Sequence, residues 1–247
     1  MAEAEGEAPV EVPATYISVQ KLTQGFGACK TLVDSGVDGD ILGMWLLTLV
    51  DHWDHDFERI VVLTSNSLLV VKYDFLKMVV SRTTRVAFYT IFRLTTGPFA
   101  YPEKSAVPQR SRRAGTGVRI FFKKEEPSML QKFNPWTKEM PFVTFSSHIV
   151  AREASGTDMR QDDIRLQVDP FYGRLVEAVR SCRARLITDR RMAGVDNDAA
   201  AASEAAPPET LEVADEPVTL DVYLGWSAAL YNTSQLGFLK NRGFINF

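Results

Sequence analysis

Residues Ile41 to Phe75 read ILGMWLLTLVDHWDHDFERIVVLTSNSLLVVKYDF, and the fold follows from how this stretch divides. Three apolar runs stand out: Ile41–Val50, Ile60–Leu63 and Leu68–Val71. Each is rich in Leu, Val, Ile or Trp, is bounded by polar or turn-forming residues, and is short enough to be a strand. Ser65-Asn66 separates the second and third runs. Asn tolerates the positive φ of a tight hairpin, so a two-residue turn is expected there. Asp51–Phe57 is a longer polar connection. The pattern predicts a three-stranded antiparallel meander. Its strands are more continuously apolar than half-exposed strands are, which implies cover on both faces from a second sheet, a helix or another subunit.

Working outward, Leu22, Phe26, Cys29, Leu32 and Val33 recur at helical spacing and predict a short helix over Leu22–Val33. Arg82–Leu94 is rich in β-branched and aromatic residues and predicts a fourth strand with a bend. Thr95–Gly115 carries Pro98, Pro102 and Pro108 and reads as a long loop. Val118–Lys124 and Phe142–Ser146 predict a fifth and a sixth strand, joined by a loop over 125–141. Arg152–Asp163 is polar. Over Pro170–Ile187, residues Phe171, Leu175, Val179, Cys182 and Leu186 make one apolar helical stripe, with Pro170 in the first turn and Asp169 at the N-cap. Residues 193–217 are rich in Ala, Pro and acidic groups and read as a flexible linker. Apolar character returns in Thr219–Tyr231, which predicts a short helix docked on the same domain or on a partner.

The chain has 247 residues, 45% of them apolar, enough for a sizeable core. Its net charge of −3 is unevenly spread. Residues 1–14 hold four Glu and 194–217 hold seven acidic residues, with no basic residue in either segment, so the remainder carries +8. A basic body can favour anionic surfaces, while the acidic segments screen it. Two cysteines, Cys29 and Cys182, are too few for a disulfide framework and match no zinc spacing; reduced thiols in a cytosolic protein are expected. The acidic start has no apolar core of the signal-peptide kind, and no apolar run approaches the ~20 residues that span a bilayer, so any membrane association is expected to be peripheral.

The words Trp45-Leu46-Leu47-Thr48, Val50-Asp51-His52-Trp53, Glu58-Arg59 and Lys72-Tyr73-Asp74-Phe75 resemble the tumour protein p63-regulated gene 1 family. Asn134-Pro135-Trp136, Thr144-Phe145, Arg242-Gly243 and Ile245-Asn246-Phe247 add to the match, which spans roughly residues 15–187 and 218–247. The same domain type occurs beside the catalytic module of a Sac-type inositol phosphatase. There it resembles a pleckstrin-homology fold and serves self-association. The resemblance implies an α+β chain: a pleckstrin-homology-like antiparallel β-sandwich closed by a C-terminal amphipathic helix, plus a docked C-terminal segment. The expected division is an acidic tail over 1–14, the domain over 15–187, a linker over 188–217 and the C-terminal segment over 218–247. It further implies a non-enzymatic, self-associating cytoplasmic adaptor near synaptic vesicle membranes, acting on exocytosis with a cytosolic scaffold protein.

Catalysis finds no support in the residues. A Sac phosphatase needs a Cys with an Arg six residues later; Ser35 follows Cys29 and Thr188 follows Cys182 at that distance. There is no phosphate-binding Gly-Lys-Ser/Thr loop and no GxSxG elbow. His52 and His55 within Asp51–Asp56 look metal-like, but the third histidine, His148, is far along the chain, and a solvated turn is the plainer reading. No metal, cofactor or nucleic-acid partner is expected. Basic residues cluster at Arg110, Arg112, Arg113, Arg119, Lys123 and Lys124, a candidate contact for acidic phosphoinositide headgroups. Against a tight pocket there, the loop after the first strand carries Asp51, Asp54, Asp56 and Glu58. The helix carries Arg174, Arg180, Arg183 and Arg185, the pattern of a basic partner helix such as calmodulin takes; the alternative is a closing helix with its arginines in water. Tyr223, Trp226 and Leu230 are the candidate self-association residues, and a homodimer is expected.

Overall fold

The structure is a computed structural model, and it describes residues 17–52, 54–105, 107, 109, 112–122, 140–152, 160, 162–192 and 210–222. Strands β1 (Ile41–Val50), β2 (Asp56–Thr64) and β3 (Ser67–Asp74) form the expected antiparallel meander. Ser65-Asn66 is its second turn. Thr64 Oγ1 fastens that turn, donating to the Ser67 carbonyl at 2.8 Å and accepting from the Ser67 N–H at 3.0 Å. The continuous apolar character has the expected cause, since both faces are covered. Trp45, Leu47, Val61 and Leu63 point to one core, while Leu46, Ile60 and Val62 point to another. Successive strand side chains alternate faces, so a strand buried on both sides must be apolar throughout.

Beyond the meander the strands are more numerous than expected. β4 runs over Val79–Ala87, and Phe88–Thr90 forms a 3-10 turn. β5 then covers Arg93–Ala100. The single bent strand expected over Arg82–Leu94 is therefore two strands, and the expected loop from Thr95 begins as a strand. Pro98 misled that reading: it lies near the end of β5, paired with Thr116, where a missing N–H costs little. β6 (Thr116–Phe121) and β7 (Phe142–Ser147) follow. The expected linker is corrected in part as well. β8 (Glu212–Asp215) and β9 (Val218–Thr219) both pair in parallel with β5. The strand order is β4-β3-β2-β1-β7-β6-β5-β8, with β9 also on β5. Residues 219–222 are extended or irregular rather than helical, and 223–231 lie outside the described residues.

Helix α1 (Val19–Lys30) begins three residues before the apolar spacing suggested, because Ser18 accepts from the Lys21 N–H at 3.2 Å and caps it. It lies close on the sheet at Gly25, where a Cβ would stand 3.0 Å from Ile60 Cδ1 and 3.2 Å from Tyr73 Cε1. A one-turn helix α2 (Ile149–Arg152) follows β7. Helix α3 (Val168–Met192) closes the opposite face. Its N-terminus is earlier than the Asp169 cap expected: Ser147 Oγ, from β7, accepts the Val168 N–H at 3.0 Å, and Asp169 sits in the first turn. Phe171, Leu175, Val179 and Cys182 are buried as the stripe predicts, with Leu186 packed at the margin. Phe171 meets Trp45 edge-on at 5.5 Å and Phe145 at 5.8 Å, which ties α3 to β1 and β7.

Candidate functional site

Of the expected headgroup contact, Arg113 is not a surface residue. Arg113 is buried, its side chain 1% exposed. Its Nε donates to Asp54 Oδ1 at 3.0 Å, and its Nη2 pairs with both Asp54 and Asp56. Tyr101 donates its hydroxyl to Asp54 Oδ2 at 2.7 Å and accepts the Arg113 N–H at 2.8 Å. The Phe99 ring lies 5.3 Å from the guanidinium carbon. Burial works against the charge of Arg113, but Asp56 and Asp54 outweigh it and raise its pKa. Burial and the neighbouring Asp54 likewise push the Tyr101 phenol well up. The acidic loop after β1 and the basic loop before β6 were read as opposing surface features; they are one internal ion cluster. The solvated-turn reading of Asp54 and Asp56 falls with it. Arg112 is half-buried, donating to the Val107 carbonyl at 3.3 Å with its guanidinium over Tyr101. Arg119 donates to Thr144 Oγ1 at 2.9 Å and covers Phe142, and burial lowers its pKa to about 10. Arg110, Lys123 and Lys124 lie outside the described residues.

The basic partner helix is corrected at two of its four arginines. Arg183 is buried and donates to the Ile91 carbonyl at 3.0 Å. Arg185 reaches the β2–β3 turn, donating to the Ser65 carbonyl at 2.8 Å and Asn66 Oδ1 at 2.9 Å. Arg174 and Arg180 are exposed. The apolar stripe of α3 is core, so a groove-binding partner would have to pull the helix off the sheet. Tyr223, Trp226 and Leu230 lie outside the described residues.

Among the described residues both cysteines are buried, and His148 and His55 each meet a carboxylate. Burial raises the Cys29 thiol to about 12 and also raises that of Cys182. His148 Nδ1 accepts the Val150 N–H at 3.3 Å, so its Nε2 donates to buried Glu58 at 3.0 Å. His55 lies 3.1 Å from Asp51 Oδ2. Among the described residues no group of three His, Cys, Asp or Glu is placed to hold a metal, and no helix is long and apolar enough to cross a membrane.

A cleft of about 860 Å³ lies over the meander, and Arg59, Lys72 and Arg82 line it with Phe57, Tyr89 and Phe142. Their placement is a matter of register. Ile60 and Val71 are the last pair of the β2–β3 ladder, so Arg59 and Lys72 each stand one residue beyond its end, and Lys72 pairs with Arg82. The three cations form a row across β2, β3 and β4. Arg59 is half-buried; Lys72 and Arg82 are exposed. Burial lowers the Arg59 pKa to about 10; the carboxylate of Glu58 opposes it, and the smaller effect of the like charge of Arg82 adds to it. Strand parity could have flagged the row, since Arg59 shares a face with Val61 and Leu63, and Lys72 with Val70.

A family model described as "hSac2: Inositol phosphatase" matches residues 16–123. Tumor protein p63-regulated gene 1 protein from Homo sapiens is 29% identical over 240 residues, covering 94% of this chain and 78% of that protein. The solved hSac2 domain from human phosphoinositide phosphatase Sac2 aligns at 12% identity with a TM-score of 0.42, over 83% of this chain and 95% of that one. The resemblance carried by the tryptophan-anchored words of β1 and the loop after it is thereby shown, over nearly the whole chain, as similarity to the tumour protein p63-regulated gene 1 family.

Proposed function

We propose that this chain is a non-enzymatic, self-associating adaptor with a pleckstrin-homology-like body, working at vesicle membranes beside a cytosolic scaffold protein. The order β4-β3-β2-β1-β7-β6-β5 with α3 closing one face supports that description of the body. The observation that carries the adaptor reading is strand addition at β5. That edge takes residues 212–219 in parallel: the Glu212 N–H donates to the Phe92 carbonyl at 2.9 Å, Glu216 to Thr96 at 2.9 Å, and Leu220 to Ala100 at 2.8 Å. Arg93 pairs with Glu216 at 2.5 Å and with Glu212 at 3.4 Å. Gly97 makes the approach feasible, since a Cβ there would lie 2.2 Å from the Glu216 carbonyl oxygen. Holding an extended segment by main-chain bonds is a protein-recognition mode, not a catalytic one. The buried thiols and internally paired carboxylates agree with it.

Light scattering on the full chain at micromolar concentration tests self-association, and a dimer mass is expected. Deleting 223–247, which retains β8 and β9 but removes Tyr223, Trp226 and Leu230, is expected to give a monomer. A monomeric full chain would overturn the reading, and so would phosphate release from a phosphoinositide above a heat-killed control.

A further inference from the structure

We propose that the Arg59–Lys72–Arg82 cleft is a binding site for a compact, multiply phosphorylated anion. This goes beyond the adaptor reading and does not rest on it. Like charges directly opposite on neighbouring strands destabilise a sheet, yet here Lys72 on β3 pairs directly with Arg82 on β4, and Arg59 on β2 lines the same cleft. Among the described residues none of the three forms an ion pair with a carboxylate. Arg59 donates to the Glu58 carbonyl at 2.6 Å and lies over the Phe57 ring at 5.3 Å; the Glu58 side chain is on the other face, paired with His148. Among the described residues the one acidic residue lining the cleft, Asp51, is engaged by the N–H and ring of His55 at 2.8 and 3.1 Å. Glu58 and Asp74 act on Arg59 and Lys72 without forming an ion pair with them, and the repulsion between the directly paired Lys72 and Arg82 remains for an anion to relieve.

Geometry and charge narrow the class. Adjacent strands are about 4.8 Å apart, so the row spans roughly 10 Å. One phosphate reaches two neighbouring cations; three call for two phosphates on one small scaffold. Two monoesters bring about −3 to −4 against +3, whereas two carboxylates bring only −2. Arginine forks at both ends of the row suit phosphate oxygens in bidentate geometry. Phe57, Tyr89 and Phe142 supply apolar walls for the scaffold, and Thr84 adds a hydroxyl.

Titration calorimetry of the full chain with inositol hexakisphosphate is the first arm, with unphosphorylated inositol as control. Vesicles carrying phosphatidylinositol bisphosphate are the second. Binding is expected in at least one arm, none with inositol, and a fall of at least about tenfold in affinity for Lys72→Gln/Arg82→Gln. Binding in the first arm alone means a soluble ligand; binding in the second, with the same loss in the variant, means a lipid headgroup. The double variant changes exposed residues that form no salt bridge among the described residues and removes the Lys72–Arg82 repulsion, so its unliganded melting temperature is expected to match or exceed that of the parent. No binding in either arm, equal affinity for the variant, or a lowered melting temperature would overturn the proposal.

Discussion

Two groups of charges on one sheet have opposite fates. At Arg113 one guanidinium meets two carboxylates out of water, with Tyr101 donating to Asp54, although Arg113 Nη1 has no hydrogen-bond partner among the described residues. Across Arg59, Lys72 and Arg82, three cations line one cleft with no salt bridge among the described residues, although the charges of Glu58 and Asp74 reach Arg59 and Lys72. Their composition does not separate them. What separates them is whether loops from distant parts of the chain arrive beside them. The loop after β1 and the loop before β6 converge on Arg113, whereas the row on β2–β4 belongs to consecutive strands that bring only their own charges. Buried ions are secured by complementarity, and an uncompensated surface row is free to recognise something else.

The sharpest way to break this contrast is Arg113→Met. It leaves Asp54 and Asp56 buried without their cation and is expected to cost about 3–5 kcal/mol; urea denaturation of the variant measures it. A loss below about 1 kcal/mol would mean the cluster is not closed to water.

Asp38 lies between the two extremes. It is buried at the start of the meander, takes the Ser67 hydroxyl at 2.5 Å and the Asp34 N–H at 2.9 Å, and pairs with half-exposed Arg85 at 2.8 Å. Burial pushes its carboxyl up, but those donors outweigh burial and lower its pKa. A lowered folded-state pKa gives stability that is present above the unfolded value of about 3.9 and is lost as pH falls through the lowered one. Asp38→Asn is therefore expected to destabilise at about pH 7 and to lose most of that deficit at about pH 2. Melting temperatures of both chains across that range check it; a pH-independent gap would mean that Asp38 acts only as a turn former.

The smallest expected effect is on the open row. Lys72→Gln with Arg82→Gln should change stability by at most about 1 kcal/mol, and upward, because a cross-strand repulsion is removed. Denaturant midpoints at low and high salt sharpen the comparison. The gain should shrink as salt screens the charges, since exposed charges feel the ionic atmosphere and buried ones do not.

How far the fold could be read from residues differs by element. The meander and α3 were legible because their signals are local: apolar runs with a turn between, and a stripe at helical spacing. Phe88–Thr90 was not, since its turn is set by a bond from the Phe88 N–H to the Asn66 carbonyl, 22 positions away. β8 was hidden inside an acidic, alanine-rich stretch because its partner is β5 and its fit depends on Gly97. Of the candidate site residues, Arg113 and Arg183 read as surface charges; long-range burial made them structural. Arg59, Lys72 and Arg82 were passed over because no two are adjacent in the chain.

The chain's own pattern determined the antiparallel meander, its two-sided burial, the closing helix and the family resemblance, because hydrophobic periodicity and turn chemistry act over a few residues. Tertiary structure alone decided which charges are neutralised, which edge receives the C-terminal strands and which cations stay unpaired. Those outcomes depend on which groups meet across the fold and on whether water is excluded where they meet, and a charge in sequence carries neither fact.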